Sequence, residues 1–262
     1  MKFISSRDNP TFKHLRALNE DARYRREQRA SVLDGDHLLL AALEAGWPLK
    51  RLVLREDVVD TALAQQILAR TVQQPPEEVL VFSAALFKVL SPVQTPTGLL
   101  AEIAVPADLQ ASALAQDVLA LAGVQDAGNL GTLLRTAVAA GVREVWLDRH
   151  TTHAWSPKAL RAGMGAQFQL RIVDACDLAA SLAVCPLPSY VTSLGRRSES
   201  LYALDLRQPG IWVFGAEGQG VPAELIAQAD HEVRIPMPGV IESLNVAAAA
   251  AVCLFEQVRQ RL

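Results

Sequence analysis

From residue 118 to the C-terminus, short apolar runs alternate with stretches of helical periodicity, and this alternation limits the fold more than any other feature. The run over 118–124 is almost wholly apolar, which is typical of a parallel strand buried on both faces. Strand and helix in turn along the chain predict an α/β fold in which helices cover a parallel sheet. The predicted strands are 118–124, 145–147, 168–170, 190–192 and 211–214, and the predicted helices are 130–140, 157–163, 178–184, 221–229 and 244–259.

The first hundred residues show the same alternation on a smaller scale. A polar helix is predicted over 11–30, followed by strands at 31–33, 51–54, 79–82 and 99–104 and helices at 37–45, 62–70 and 84–90. The sequence therefore predicts a smaller N-terminal α/β domain over 1–105 and a larger one over 117–262. Residues 106–116 are predicted to link them.

Charge is distributed unevenly along the chain. Residues 1–30 hold eight Lys and Arg against four acids, a net charge of +4, whereas the whole chain carries −3. A basic N-terminal segment can contact phosphate groups, and a salt-bridged surface helix explains the same residues equally well. Charge alone leaves both interpretations open.

Composition argues against several classes of protein. Cys176, Cys185 and Cys253 lack the spacing of a zinc site or a disulfide framework. The first residues include no apolar segment of signal-peptide length, and the longest apolar stretch, 246–255, is far below the roughly 18 residues of a membrane span. His150 and His153 have no further metal ligands beside them. We therefore expect a cytoplasmic protein with no metal and no membrane segment.

The segment 126–135 combines an apolar helical face with polar residues outside it. Leu130 and Leu133 lie on one predicted face, and Arg135 points roughly 130° away from the centre of that face. Asn129 occupies the predicted N-cap position, next to N–H groups that favour an anion. By itself the pattern also fits a plain helix cap and a surface charge.

A glycine-rich loop follows the predicted strand 211–214. Gly215, Gly218 and Gly220 are spaced G-x-x-G-x-G, which differs from the G-x-G-x-x-G of dinucleotide sites. Glycines permit tight turns and a close approach of the main chain to a ligand. Glu217 adds a carboxylate that such a turn does not require. The loop fits a neutral, adenosine-like ligand held by main chain, and it also fits an ordinary strand-to-helix turn.

A third segment, 235–245, is rich in proline and polar residues. Pro236 and Pro238 exclude a helix or a central strand because each lacks a main-chain donor. The remaining amides and carbonyls then need partners in turns, in water or on a ligand. Ser243 and Asn245 both stand at the start of the last predicted helix, where capping accounts for only one of them.

Taken together, the three segments resemble the sequence motifs of the SpoU (TrmH-type) RNA ribose 2′-O-methyltransferases. The resemblance covers the chain from Val118 to the C-terminus, and the N-terminal part is similar to the substrate-binding domain that often accompanies these enzymes. The motif residues are Asn129, Gly131, Arg135, Gly215, Glu217, Gly218, Gly220, Pro222, Ile235, Pro236, Ser243, Leu244 and Asn245. Ala127 stands where the family usually has proline, a departure that affects only a turn.

The resemblance implies a fold, a cofactor and a set of site residues. The expected fold is a C-terminal parallel-sheet α/β domain with a deep trefoil knot, plus a smaller N-terminal α/β RNA-binding domain. The expected cofactor is S-adenosylmethionine, bound by Thr192, Gly195, Gly215, Glu217, Gly218, Gly220, Ile235, Met237 and Leu244. The expected catalytic residues are Asn129, Arg135, Glu217, Ser243 and Asn245, at an active site formed across a homodimer. The expected RNA-binding residues are Arg7, Lys13, Arg23, Arg25, Arg26 and Arg135.

The implied reaction transfers a sulfonium methyl group to a ribose 2′-hydroxyl of RNA. Arg135 would act as a base or, more in keeping with a guanidinium pKa above about 12, as a clamp that stabilises the developing alkoxide. Ribosomal RNA is the preferred substrate and tRNA the alternative, because a separate N-terminal domain of this size is more like the ribosomal-RNA members.

Two other classes of function stay open at this point. A non-catalytic RNA-binding or ribosome-assembly protein could share the fold, although Arg135 and Asn245 are both present. A nucleotide-dependent oxidoreductase could use the glycine-rich loop, although its glycine spacing is wrong for one.

Overall fold

A computed structural model of the chain describes residues 1–91, 93, 95–107, 109–112, 116–195 and 197–262. The N-terminal elements are β1 (Lys2–Ile4), α1 (Pro10–Glu20), α2 (Ala22–Gln28), β2 (Ala30–Asp34), α3 (Asp36–Glu44), β3 (Leu49–Arg55), α4 (Ala62–Arg70), β4 (Glu78–Phe82), α5 (Ala84–Leu90) and β5 (Leu99–Ala104). They are followed by β6 (Val118–Ala122), α6 (Ala127–Ala139), β7 (Glu144–Leu147), α7 (Pro157–Gly163), β8 (Arg171–Val173), α8 (Leu178–Val184), β9 (Ser189–Thr192), β10 (Glu199–Ser200), β11 (Ile211–Gly215), α9 (Ala223–Gln228), β12 (His231–Arg234) and α10 (Val246–Arg261). Of the predicted linker, residues 108 and 113–115 lie outside the described residues. No helix in the described ranges is both long and apolar enough to cross a membrane.

The chain divides into two compact units. Unit 1 comprises residues 1–107 and 155–168, and unit 2 comprises residues 108–154 and 169–262. The helix α7 thus belongs with the N-terminal residues, although it follows β7 in sequence. Ser31 Oγ donates to the carbonyl of Trp155 at 2.5 Å, and the Trp47 ring lies 5.4 Å from the rings of both Trp155 and Phe168. Such long-range packing leaves no local signal in the sequence.

Unit 1 is built on a mixed five-stranded sheet in the order β1-β4-β3-β5-β2. The strands β1, β4 and β3 are parallel, whereas β5 runs antiparallel to both β3 and β2. Phe12, Leu15 and Leu18 of α1 are buried in one core with Val53 and Phe82 of the sheet. This arrangement confirms the predicted smaller α/β fold for the N-terminal part of the chain.

Two predicted elements of the chain are wrong in detail. The single helix predicted over 11–30 is two helices, because Asp21 is the C-cap of α1 and its side chain also caps α2, accepting from the N–H groups of Arg23 and Tyr24. The strand predicted over 168–170 is mostly a 3-10 helix, Ala166–Gln169, and β8 starts only at Arg171. An apolar run as short as this one does not distinguish a strand from a buried helical turn.

Unit 2 is built on seven parallel strands in the order β10-β12-β9-β11-β6-β7-β8. This confirms the parallel sheet predicted from the alternating pattern. Trp146 and Trp212 are buried in the core, as their positions in apolar strands indicate. The strands β10 and β12 were not predicted, because both are short and polar.

The last helix is fixed to the sheet by polar as well as apolar contacts. Trp212 Nε1 of β11 donates to Gln257 Oε1 of α10 at 2.9 Å. Arg261, near the end of α10, forms an ion pair with Asp117 just before β6. The helix also packs against α6. These contacts place the N-terminus of α10 beside the segments described next.

Candidate functional site

Four loops come together in unit 2 because they leave the carboxyl ends of neighbouring strands. Along the order β12-β9-β11-β6, the chain leaves these strands after Arg234, Thr192, Gly215 and Ala122. All four strands are parallel, so these exits share one edge of the sheet. Open parallel sheets bind ligands at this edge, where neighbouring strands connect in opposite directions.

The loops after β9, β11 and β12 border a cavity of about 400 Å³, a size typical of small-molecule sites. The structure places eight of the nine predicted cofactor-binding residues in its lining: Thr192, Gly215, Glu217, Gly218, Gly220, Ile235, Met237 and Leu244. Gly195 is the exception. A Cβ at Gly195 would lie 2.1 Å from Glu232 Oε1, so this glycine faces Glu232 and does not line the cavity.

Glycines allow the loop after β11 to fold back on itself. The N–H of Gly220 donates to the carbonyl of Ala216 at 2.8 Å, and Gly220 has a φ of +69°. A Cβ at Gly215 would lie 2.0 Å from the carbonyl carbon of Gly220, so only glycine fits there. A Cβ at Gly218 would meet nothing within 4 Å. The turn therefore requires Gly215, whereas Gly218 leaves space for a ligand.

The segment 235–245 offers main-chain donors to the cavity. It forms neither helix nor strand. Among the described residues, no group accepts a hydrogen bond from the N–H of Met237 or of Leu244, and both residues line the cavity. Main-chain donors need a partner, either water or a ligand. Free amides beside apolar side chains suit a heteroaromatic ligand such as a nucleoside.

Three of the predicted catalytic residues are joined by hydrogen bonds beside the cavity. Asn129 Nδ2 donates to Glu217 Oε1 at 2.5 Å, and Asn245 Nδ2 donates to Asn129 Oδ1 at 3.1 Å. The three side chains come from α6, from the glycine-rich loop and from the N-cap of α10. Segments far apart in sequence thus form one polar cluster, which we call the Asn–Glu–Asn cluster.

Asn129 is not the N-cap of its helix, contrary to the prediction. The helix α6 begins at Ala127, and Asp126 Oδ1 accepts from the N–H of Asn129 at 2.9 Å. Aspartate is among the best capping residues, so the cap lies three residues earlier than predicted. Because Asp126 serves as the cap, the Asn129 side chain is available to bond with Glu217.

The two other predicted catalytic residues lie outside this cluster. Ser243 is exposed and lines the cavity. Arg135 is exposed on α6, as the helical spacing predicts, and no described residue forms an ion pair or hydrogen bond with it. A guanidinium without an internal partner can contact an anionic group of a ligand at no cost in internal pairing.

The structure separates the predicted RNA-binding residues of unit 1 into two groups. Arg7, Lys13, Arg23 and Arg26 are exposed. Arg25 is only 6% exposed, and its Nη1 donates to the carbonyl of Leu18 at 2.7 Å and to that of Asn19 at 3.0 Å. Burial lowers the pKa of Arg25 below its usual value. Arg25 therefore joins α2 to α1, and its assignment to RNA binding is corrected.

Sequence reasoning missed several residues of the cavity. Ile226, Arg234 and Ala249 all belong to its lining. Arg234 ends β12, a strand that was not predicted, so its place at the carboxyl edge of the sheet was not recognised.

The histidines at 150 and 153 occupy different surroundings. His153 is buried and His150 is exposed. Across the part of the chain that the structure describes, no three His, Cys, Asp or Glu residues are arranged to hold a metal ion.

Comparison with known families identifies both parts of the chain. The model of the SpoU rRNA Methylase family matches residues 116–255, more than half of the sequence. The chain belongs to the SpoU family. A model described as an MRM3-like substrate binding domain matches residues 9–101. The SpoU match contains the cavity and the Asn–Glu–Asn cluster, and the two matches confirm the family and the accessory domain expected from the sequence.

Three proteins similar to this SpoU protein match it over nearly their whole length. The 23S rRNA (guanosine(2553)-2′-O)-methyltransferase RlmP of Bacillus subtilis is 29% identical, over 97% of this chain and 98% of the relative. The solved structure of an AdoMet-bound rRNA methyltransferase from Sinorhizobium meliloti has a TM-score of 0.86 at 30% identity, covering 100% of this chain and 98% of that one. The SpoU methyltransferase AviRb from Streptomyces viridochromogenes, solved with AdoMet, has a TM-score of 0.84 at 25% identity, with 97% and 98% covered.

Proposed function

We propose that this protein transfers a methyl group from S-adenosylmethionine to a ribose 2′-hydroxyl of ribosomal RNA. The observation that carries the proposal is the Asn–Glu–Asn cluster beside a cavity in which no described residue accepts from the N–H groups of Met237 and Leu244. Exposed side-chain hydrogen bonds add little to stability, so packing does not explain why three segments converge on this cluster. The rRNA methyltransferases among the relatives support the choice of substrate.

The cavity fits S-adenosylmethionine in its size and in its donors. Phe214, Ile226 and Val246 provide apolar lining for a nucleoside, and the N–H groups of Met237 and Leu244 would hold its acceptor atoms. When bound, the cofactor supplies a methyl group activated by the positive charge on its sulfur. The AdoMet-bound structures of two similar proteins support this assignment.

The side chains of the site would orient the RNA and stabilise charge. We propose that Arg135 contacts the phosphate next to the target ribose and stabilises the negative charge that develops on the 2′-oxygen. A guanidinium keeps its proton to a pKa above about 12, which makes proton abstraction by Arg135 the weaker hypothesis. Glu217 and Asn245 would hold the Asn129 amide in place, and Ser243 would line the path of the methyl group.

The two parts of the chain would divide the work. We propose that residues 1–105 bind RNA, that residues 106–116 act as a linker and that residues 117–262 carry out methyl transfer. Arg7, Lys13, Arg23 and Arg26 are the exposed cations that would contact phosphates. We also propose that the protein acts in the cytoplasm, which its similarity to a bacterial rRNA methyltransferase supports.

We also propose that the protein forms a homodimer, with the deep trefoil knot that the family resemblance implies. Val240, Ile241 and Phe255 are large apolar side chains with exposed fractions of 101%, 69% and 46%. Exposed apolar groups of this kind often mark an association surface. Light scattering after gel filtration would test the dimer, and Phe255→Glu is expected to shift the protein toward the monomer.

The function is tested by incubating the purified protein with methyl-labelled cofactor and unmodified RNA transcripts. We expect label in ribosomal RNA, at a ribose whose neighbouring phosphodiester then resists alkaline cleavage, and none in tRNA. Gly218→Trp is the matched control, because the added side chain enters open space and should block the cavity without straining the fold. Label in tRNA instead would favour the tRNA alternative. Cofactor binding without transfer to any RNA would favour a non-catalytic RNA-binding protein.

A further inference from the structure

Unit 1 contains a second cavity, of about 320 Å³, which methyl transfer does not use. It lies where β2 ends and α3 begins, beside the C-terminal end of α7. Asp34, Leu38, Thr97, Arg161 and Met164 belong to its lining. The Asp34 carboxylate and the Nη1 atom of the half-buried Arg161 lack a full set of partners among the described residues, and their chemistry indicates what the cavity binds.

Asp34 brings an incompletely satisfied carboxylate to the cavity. The residue is 8% exposed, and its Oδ1 and Oδ2 lie 3.0 and 2.8 Å from the hydroxyl of Ser91. One hydroxyl carries one hydrogen, whereas an ionised carboxylate accepts about four hydrogen bonds. Burial raises the pKa of the Asp34 carboxyl, and the Ser91 hydrogen bond and the charge of Arg161 oppose that shift. A ligand with two adjacent donors would satisfy this group.

Arg161 brings the complementary donor. Its Nη1 is buried and has no hydrogen-bond partner among the described residues. Its charge acts on Asp34, yet the two side chains form no ion pair within the ranges that the structure describes. Buried donors are nearly always hydrogen-bonded in folded proteins, so an unpaired one needs an explanation. An acceptor atom on a ligand would provide the missing partner.

Met164 gives the cavity an apolar group at the surface. Met164 is 47% exposed. It is the C-cap of α7 and has a φ of +51°. Glycine or asparagine is common in this left-handed conformation, whereas a long apolar side chain is not. Methionine packs well against the face of an aromatic ring. A flat ligand lying against Met164 would cover this exposed group.

Guanine is the RNA base that matches these groups. Its N1–H and N2–H are adjacent donors suited to a carboxylate, and its O6 is an acceptor suited to a guanidinium. On the same Watson–Crick edge, adenine and cytosine place a donor beside an acceptor, and uracil places one donor between two acceptors. We propose that the second cavity binds a splayed guanine base of the RNA, with Asp34 reading the N1–H and N2–H edge and Arg161 reading O6. The proposal rests on the proposed function only in taking RNA as the source of the base.

The test uses the full chain and a short, uridine-rich, fluorescently labelled RNA with one central guanosine. The same RNA is made with inosine, which lacks the 2-amino group, and with adenosine. All three are titrated at one salt concentration, because phosphate contacts make RNA affinity salt-dependent. We expect the inosine and adenosine RNAs to bind roughly tenfold more weakly, as expected for a lost hydrogen bond to a charged group. Equal affinity for all three RNAs would overturn the proposal.

Substitutions separate the two reading groups. Asp34→Asn should abolish the preference for guanosine over inosine, because an amide offers one acceptor where guanine requires two. Arg161→Met should weaken the binding of the guanosine and inosine RNAs equally, since both bases carry O6. Arg161→Lys should restore part of the lost affinity. Asp60→Asn is the matched control, because Asp60 is exposed and its substitution changes the net charge equally. Asp60→Asn should leave the guanosine-to-inosine ratio unchanged.

The remaining outcomes distinguish the proposal from misfolding and from failure of the proposed function. Each variant is titrated with S-adenosylmethionine, and unchanged cofactor binding shows that unit 2 is intact. A circular-dichroism melt that matches the unsubstituted chain then shows that unit 1 is folded as well. If Asp34→Asn is well folded and still prefers the guanosine RNA, the proposal is overturned. It is also overturned if free guanosine monophosphate competes with RNA while the three RNAs bind equally well. Absence of methyl transfer with the guanosine preference intact contradicts only the proposed function.

Discussion

Asn245 makes two kinds of hydrogen bond, and a pair of substitutions separates their effects. Its Oδ1 caps α10 by accepting from the N–H groups of Ala247 and Ala248, at 2.9 and 3.4 Å. Its Nδ2 donates to Asn129 in the Asn–Glu–Asn cluster. Asn245→Ala removes both functions. Asn245→Asp keeps the capping oxygen and places a negative charge at a helix N-terminus, where it is favoured, but it cannot donate to Asn129.

The two variants should therefore differ in stability and agree in activity. Loss of an N-cap costs about 1 kcal/mol, which lowers the Tm of a chain of this size by roughly 2–4 °C. We expect this decrease in Asn245→Ala and no decrease in Asn245→Asp. Loss of the hydrogen bond to Asn129 should lower kcat/KM for methyl transfer by about tenfold in both variants, equivalent to about 1.4 kcal/mol.

The assay pairs thermal melts with measurements of kcat/KM for methylation of ribosomal RNA. Asp177→Ala is the matched control, because Asp177 caps α8 in the same unit by accepting from the N–H of Ala180 at 3.0 Å. This control should lose stability and keep its activity. Full activity in Asn245→Asp would refute the reasoning, because the bond to Asn129 would then contribute nothing to the reaction.

Four further predictions follow from single side chains. Gly215→Ala should abolish calorimetric cofactor binding while circular dichroism stays unchanged, because its Cβ would overlap the main chain of Gly220; normal binding would contradict the described turn. Arg135→Lys should retain partial methyl transfer and Arg135→Ala almost none; equal loss with cofactor still bound would exclude simple charge stabilisation. Cys253 is buried, and burial raises the pKa of its thiol to about 12, so at pH 8 a thiol reagent should modify it only after unfolding. Arg23→Ala should reduce by about 1 the slope of the log RNA-binding constant against log salt concentration, whereas Arg25→Ala should lower Tm. If Arg25→Ala changed that slope and left Tm unchanged, Arg25 would return to the RNA-binding residues.

Local sequence predicted the buried strands well because their residue types follow from their surroundings. The strand Leu99–Ala104 has the bounds that the apolar run indicates. The same holds within one residue for Ile211–Gly215, where every residue is buried. A strand covered on both faces is mostly apolar, although Glu102 is buried in Leu99–Ala104, so most of its burial can be read from the sequence.

The short strands β1, β10 and β12 were not predicted. His231–Arg234 is polar, and it becomes a strand only by pairing in parallel with Ser189–Thr192, far earlier in the chain. Lys2–Ile4 likewise depends on pairing with Glu78–Phe82. Parallel pairing is always non-local, so no short window of sequence contains the partner.

The residue types that carry the proposed chemistry can be recognised in the sequence, because amides, carboxylates and glycines stand out wherever packing does not require them. That Asn129, Glu217 and Asn245 meet follows from the fold, since 88 and 116 residues separate Asn129 from its two partners. The fold also decides that Arg161 lines a cavity with Asp34. The physical reason is the order of the strands: the carboxyl ends of parallel strands share one edge of the sheet, and the order of the strands decides which loops become neighbours there.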